Sequence, residues 1–130
     1  MTQQQRLPSE IVSFIASCID SVEQVEILLM LRAERTRRWT AEELTRGQHS
    51  SIGSVHLRLQ RLVAAGLVAT EGASYVYAAS SASDELVRRL ADLYADRRTA
   101  VIERIFSDRK DPLQPFADAF RLREEAEGDE

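Results

Sequence analysis

Few residues in this sequence are of types that do chemistry, and their arrangement argues against a catalytic centre. His49 and His56 are the only histidines; with one cysteine, Cys18, and no clustered ligand set, no zinc-type site can be assembled. Glu42 and Glu43 are adjacent on an expected helix, so their carboxylates diverge rather than form an acid–base pair. No G-x-S-x-G, P-loop or G-x-G-x-x-G occurs. Cys18 shares a face with Ile11, Phe14, Ile15 and Ile19, which predicts a buried, inert thiol. Tyr75 and Tyr77 share one face of an expected strand, a packing arrangement rather than a base-stacking platform. The expectation is a protein that is not an enzyme and that uses no metal and no cofactor.

The remaining chemistry lies in the arginines, which supply 16 of the 17 basic residues. A guanidinium suits a phosphate or the edge of a guanine because it offers a planar fork of donors. Arg58 and Arg61 fall on the expected outer side of a helix, opposite Val55, Leu59 and Leu62, with Gln60 beside them. Arg35, Arg37 and Arg38 cluster in a polar break further upstream. Two readings of each group are open: phosphate contacts, or the solvated face of a helix and an ordinary loop. Ser51 and Ser54 are likewise either DNA contacts or helix caps.

The elements that must position these residues follow from periodicity. At 130 residues, 44% hydrophobic and 29% charged, the chain fits one domain able to bury a core without disulfides or a metal. Its longest apolar run, Ile27 to Leu31, is far short of the ~20 residues a membrane span needs. The opening residues, Met1-Thr2-Gln3-Gln4-Gln5-Arg6, have no signal-peptide core. The expectation is a soluble cytoplasmic protein with no membrane partner.

Pro8-Ser9-Glu10 opens a first helix within 1–20. Ser21 caps a second, with Gln24 at capping-box spacing and Val22, Val25, Leu28, Leu29 and Leu31 inward. Thr40 and Glu43 form a further capping box, with Trp39 and Leu44 as a hydrophobic staple, and Gly47 is expected to end that short helix in a left-handed conformation. Ser50 or Ser51 caps the helix carrying Val55, Leu59 and Leu62, closed by Gly66. Two short β-prone runs, 67–70 and 75–78, flank a Gly72-containing loop. A single long helix is expected from about Ser83 to Phe106, and residues 108–130 hold a short apolar stretch (Leu113, Phe116, Phe120) and an acidic tail whose composition predicts disorder.

The stretch Ala41 to Val68 resembles bacterial winged-helix regulators of the MarR, ArsR and PadR type. Ala41-Glu42-Glu43-Leu44 is similar to the opening of their second helix, and Val55-x3-Leu59-x2-Leu62-x3-Gly66-Leu67-Val68 to their recognition helix and entry to the wing. The resemblance implies a mainly α fold with a small two-stranded β wing: a winged helix-turn-helix over 21–80, preceded by the N-terminal helix and followed by a long dimerisation helix over 81–107. Two positions depart from the pattern. Gln48-His49-Ser50 replaces the apolar turn, and the outer face of the recognition helix offers Gly53 and Leu57 where base-reading polar residues are usual.

The function the resemblance implies is a homodimeric transcriptional regulator that binds double-stranded DNA through Ser51, Ser54, Leu57, Arg58, Gln60 and Arg61, with Arg35, Arg37 and Arg38 in support. Leu86, Leu90, Leu93, Tyr94, Val101 and Ile105 form the expected self-contact of the long helix. The alternative is a winged-helix interaction module that has exchanged DNA for a protein partner. It is favoured by Leu57 on the outer face, by Glu71 at the wing tip, and by a body of zero net charge once the −4 of residues 108–130 is set aside.

Overall fold

The computed structural model describes residues 7–48 and 50–108. The expected acidic tail, the 113–120 apolar stretch and His49 lie outside them. Six helices and three strands alternate along the described residues: α1 (Ser9–Cys18), α2 (Val22–Ala33), β1 (Trp39–Thr40), α3 (Ala41–Gln48), α4 (Ile52–Ala64), β2 (Val68–Glu71), β3 (Ser74–Tyr77), α5 (Ser81–Asp96) and α6 (Arg98–Asp108). The fold is mainly helical, with a small antiparallel sheet.

Capping chemistry sets most of the helix starts. Ser21 Oγ accepts the Gln24 amide at 3.0 Å, and Ser51 Oγ accepts the Ser54 amide at 3.1 Å. Ser80 Oγ accepts from the Ser83 amide and starts α5, a little ahead of the expected start at about Ser83. The Thr40–Glu43 box closes reciprocally: Glu43 N–H donates to Thr40 Oγ1 at 3.1 Å, and Thr40 N–H to Glu43 Oε1 at 2.9 Å. Gln24 does more than its spacing implies. It is fully buried, and its amide donates to the Cys18 carbonyl at 2.8 Å while accepting the Asp20 N–H at 2.9 Å. Both ends of a buried polar group are thereby satisfied, and the α1–α2 link is fixed.

The sheet has three strands in the order β1-β3-β2, not the two expected. Trp39 pairs with Tyr75 and Thr40 with Ser74, while Val68 to Glu71 pair with Tyr77 to Ser74. Strand β1 leaves no periodic signal in the sequence because two residues cannot show a period-two alternation, and the same Trp39-Thr40 pair forms the entry to α3. Gly66, at φ +81°, lets the chain leave α4 and enter the sheet.

Gly47 does not end α3 in a left-handed turn; the helix continues to Gln48. Gly47 packs beside Met30 of α2, whose flexible terminal methyl would stand 3.0 Å from a Cβ at this position.

A single helix from Ser83 to Phe106 is not what forms. The chain breaks at Arg97 (φ −132°, ψ 55°) into α5 and α6. The break lets α6 turn back onto α1, and α1, α5 and α6 pack against one another. Leu90, Val101 and Ile105 are fully buried and Tyr94 nearly so, in one core with Ile11 and Ile15 of α1. Much of the apolar surface of α5 and α6 is therefore covered within the chain. Of the residues expected at a self-contact, Leu90, Tyr94, Val101 and Ile105 have no surface to offer, and only Leu86 and Leu93 remain partly exposed.

Candidate nucleic-acid interface

Helix α4 lies across α2 with Val55, Leu59 and Leu62 wholly buried. That spacing leaves Gly53, Leu57 and Gln60 on the opposite side, with Ile52, His56 and Arg61 flanking them; all six are exposed. Leu57 and Ile52 each keep 41% of their surface in water.

Arg58 is not on that outer face. Its Nε donates to Glu23 Oε1 at 3.2 Å, and its guanidinium lies 3.7 Å from Asp20 Oδ1. Ser54 is drawn the same way, its hydroxyl donating to Glu23 Oε1 at 2.5 Å. Burial pushes the pKa of Glu23 up, but hydrogen bonds from Ser50, Ser54 and Arg58 outweigh it and hold the carboxyl below its ordinary value. Ser51 is occupied as the α4 cap. Of the six expected contact residues on this helix, the structure thus brings Leu57 and Gln60 to the outer face, leaves Arg61 exposed on its flank in a pair with Asp20, and ties Ser51, Ser54 and Arg58 to the protein itself.

The upstream arginines form two other groups. Arg35 donates to Asp84 Oδ2 at 2.7 Å, beside Arg32, whose Nε donates to Oδ1 at 2.9 Å, and Tyr77, whose hydroxyl donates to the same oxygen at 2.6 Å. The Arg32 hydrogen bond, with those of Tyr77 and Arg35, holds the Asp84 carboxyl far below the usual carboxylate range. Arg37 stacks over the Trp39 ring, 3.6 Å from its centroid, and lies near Glu34 and Glu43. Arg38 pairs with Glu71 at the β2–β3 loop, so the carboxylate expected to leave the hairpin tip acidic is matched by a cation.

Two features of the site were missed in the sequence. Asp20 and Glu23 turn Arg58 inward, and Asp20 also pairs with Arg61, yet these carboxylates lie 35 to 41 residues from the arginines, where no local spacing could reveal them. The second was readable: residues 45–70 contain no Asp or Glu in a chain that has 21. The stretch includes the end of α3, all of α4 and the start of β2. Arg46, exposed in the last turn of α3, has no ion pair among the described residues.

No protein-family profile and no curated protein matches the chain. Among solved structures it is similar to the crystal structure of RV1404 from Mycobacterium tuberculosis, at 18% identity over 99% of this chain and 90% of that one, with a TM-score of 0.46. Similarity this distant carries no argument about function.

Proposed function

We propose that this chain is a winged helix-turn-helix regulator that binds double-stranded DNA as a homodimer. In this reading α2, α3 and α4 are the three helices of the motif, β2 and β3 are the wing, and α4 enters the major groove. The observation that carries it is the carboxylate-free outer side of α4, flanked by exposed Arg46 and Arg61, in a protein whose net charge is −4. A duplex presents one phosphate charge per ~1.7 Å of its axis, so a surface that approaches it must exclude carboxylates before it gathers cations. The Arg61–Asp20 and Arg38–Glu71 pairs do not oppose the reading. Both arginines are at least half exposed, and surface pairs of that kind are worth roughly 0–1 kcal/mol, little enough for a phosphate to replace the carboxylate. A two-fold dimer would present two copies of α4 to successive grooves, and Leu86, Leu93 and Ile102 supply partly exposed apolar surface for the self-contact.

The test is selection of genomic fragments by the purified chain at low salt in the presence of competitor DNA. Enrichment of discrete fragments supports the proposal; retention of none opposes it.

One observation favours a second reading, that α4 docks a protein. Ile52 and Leu57 are two of the three exposed large hydrophobic residues among those described. Failure to retain any duplex, with a Leu57→Ser variant losing the binding of an apolar dye, would favour that reading over the first.

A further inference from the structure

Resting on the DNA reading above, we propose that α4 is specific for consecutive A·T base pairs, read by Leu57 and Gln60. The crest of α4 carries no arginine or lysine. Guanine is most often recognised by a bidentate Arg or Lys on its O6 and N7. The arginine at the middle of α4, Arg58, is held by Glu23 and Asp20 on the side facing α2. Arg61 directly follows Gln60 but pairs with Asp20, on the flank rather than the crest. The first turns of a recognition helix are the ones that meet base edges, and there the crest consists of Gly53, Leu57 and, one turn on, Gln60.

Each of these three has a definite complement. A Cβ on Gly53 would meet nothing within 4 Å, so the missing side chain leaves bare helix backbone that can come close to the groove floor. Leu57, apolar and 41% exposed, complements the thymine C5-methyl, the one apolar group displayed in the major groove. Gln60 is exposed, with a side-chain amide that can accept from adenine N6 and donate to N7 at once. Leu57 and Gln60 are three residues apart, a rise of about 4.5 Å along the helix. That is about one and a third base-pair steps of about 3.4 Å, nearer one step than two, so the two side chains address neighbouring pairs.

The experiment is selection from a fully randomised duplex pool by the full-length chain, followed by titration of the recovered site with single changes. The expected half-site contains two adjacent A·T pairs, and changing either to G·C weakens binding by about tenfold. Replacing the contacted thymine by deoxyuridine removes only the methyl group. It should weaken binding of the parent and leave a Leu57→Ala variant unaffected. A Gln60→Ala variant should lose discrimination at the neighbouring pair while keeping its affinity for unrelated duplex. Both side chains are exposed, so neither change threatens folding. Recovery of a tight G·C half-site, or a parent indifferent to uracil at every position, overturns the A·T assignment and leaves DNA binding standing. Enrichment of no duplex at low salt overturns both.

Discussion

Arg58 of α4 donates its Nε to the Glu23 carboxylate of α2 at 3.2 Å, and so faces the protein instead of the solvent side of its helix. The pair joins residues 35 apart in sequence and decides the character of the proposed interface. Glu23 also accepts the Ser54 hydroxyl, so one carboxylate fixes two side chains of α4 and with them the roll of that helix against α2. What is left at the crest of α4 is apolar and amide, with exposed Arg61 on its flank.

Replacing Glu23 with Gln should cost about 1–2 kcal/mol of stability, because the hydrogen bonds it accepts from a guanidinium and a hydroxyl weaken together. The pH dependence has a definite sign. A carboxyl whose folded pKa is depressed stabilises the fold above its ordinary value of 4.5 and loses that contribution as pH falls through its folded value. Denaturant titrations of the parent and of Glu23→Gln should therefore converge as the pH is lowered below about 4.5.

Asp84 binds three elements at one point: Arg32 and Arg35 from the end of α2 and the loop after it, Tyr77 from β3, and its own helix α5. Asp84→Asn should lower stability by about 1–3 kcal/mol, since a charge-assisted network loses its anion. Because the Asp84 carboxyl is held far below its ordinary 3.8, its contribution is full above that value and disappears in acid. Thermal melts should show that the variant has lost part of the acid sensitivity of the parent.

The two glycines that lie on either side of α4 should respond differently to alanine. Gly66 holds a φ of +81°, and Gly66→Ala should destabilise by about 1–2 kcal/mol because a Cβ in that conformation crowds the following carbonyl. Gly47 is helical, and the atom nearest its missing Cβ is the terminal methyl of Met30, which can move. Gly47→Ala should stay within about 0.5 kcal/mol of the parent, as the gain in helix propensity offsets the readjustment of Met30. Chemical denaturation of both variants checks the contrast.

Light scattering at micromolar concentration should give twice the chain mass of 14.7 kDa if the homodimer forms. Leu86→Glu with Leu93→Glu should reduce it to one chain mass, because these are the α5 leucines with surface to spare. A parent at 14.7 kDa opposes the dimer and identifies the break at Arg97 as a device for covering α5 and α6 internally.

Legibility in the sequence followed the range of the interactions. Caps at Ser21 and Thr40, a cap at Ser50 or Ser51, the inward set Val55, Leu59 and Leu62, and the β2–β3 hairpin were readable because each depends on residues within a turn or two of one another. The break at Arg97 was not, because the apolar period runs through it and what favours breaking is burial against α1, more than eighty residues earlier. The inward turn of Arg58 was hidden for the same reason. Helical spacing places a side chain on a flank, but distant carboxylates decide which way a long guanidinium swings.

The most direct test of the proposed function is fluorescence anisotropy of a recovered duplex titrated with protein across a salt series, for the parent, for Arg46→Ala with Arg61→Ala, and for Arg58→Ala. The log–log salt dependence should flatten by about two units in the double variant, about one per lost phosphate contact, and stay at the parent slope in Arg58→Ala. A parent whose affinity does not depend on salt, or a loss of slope in Arg58→Ala alone, would contradict the interface described for α4.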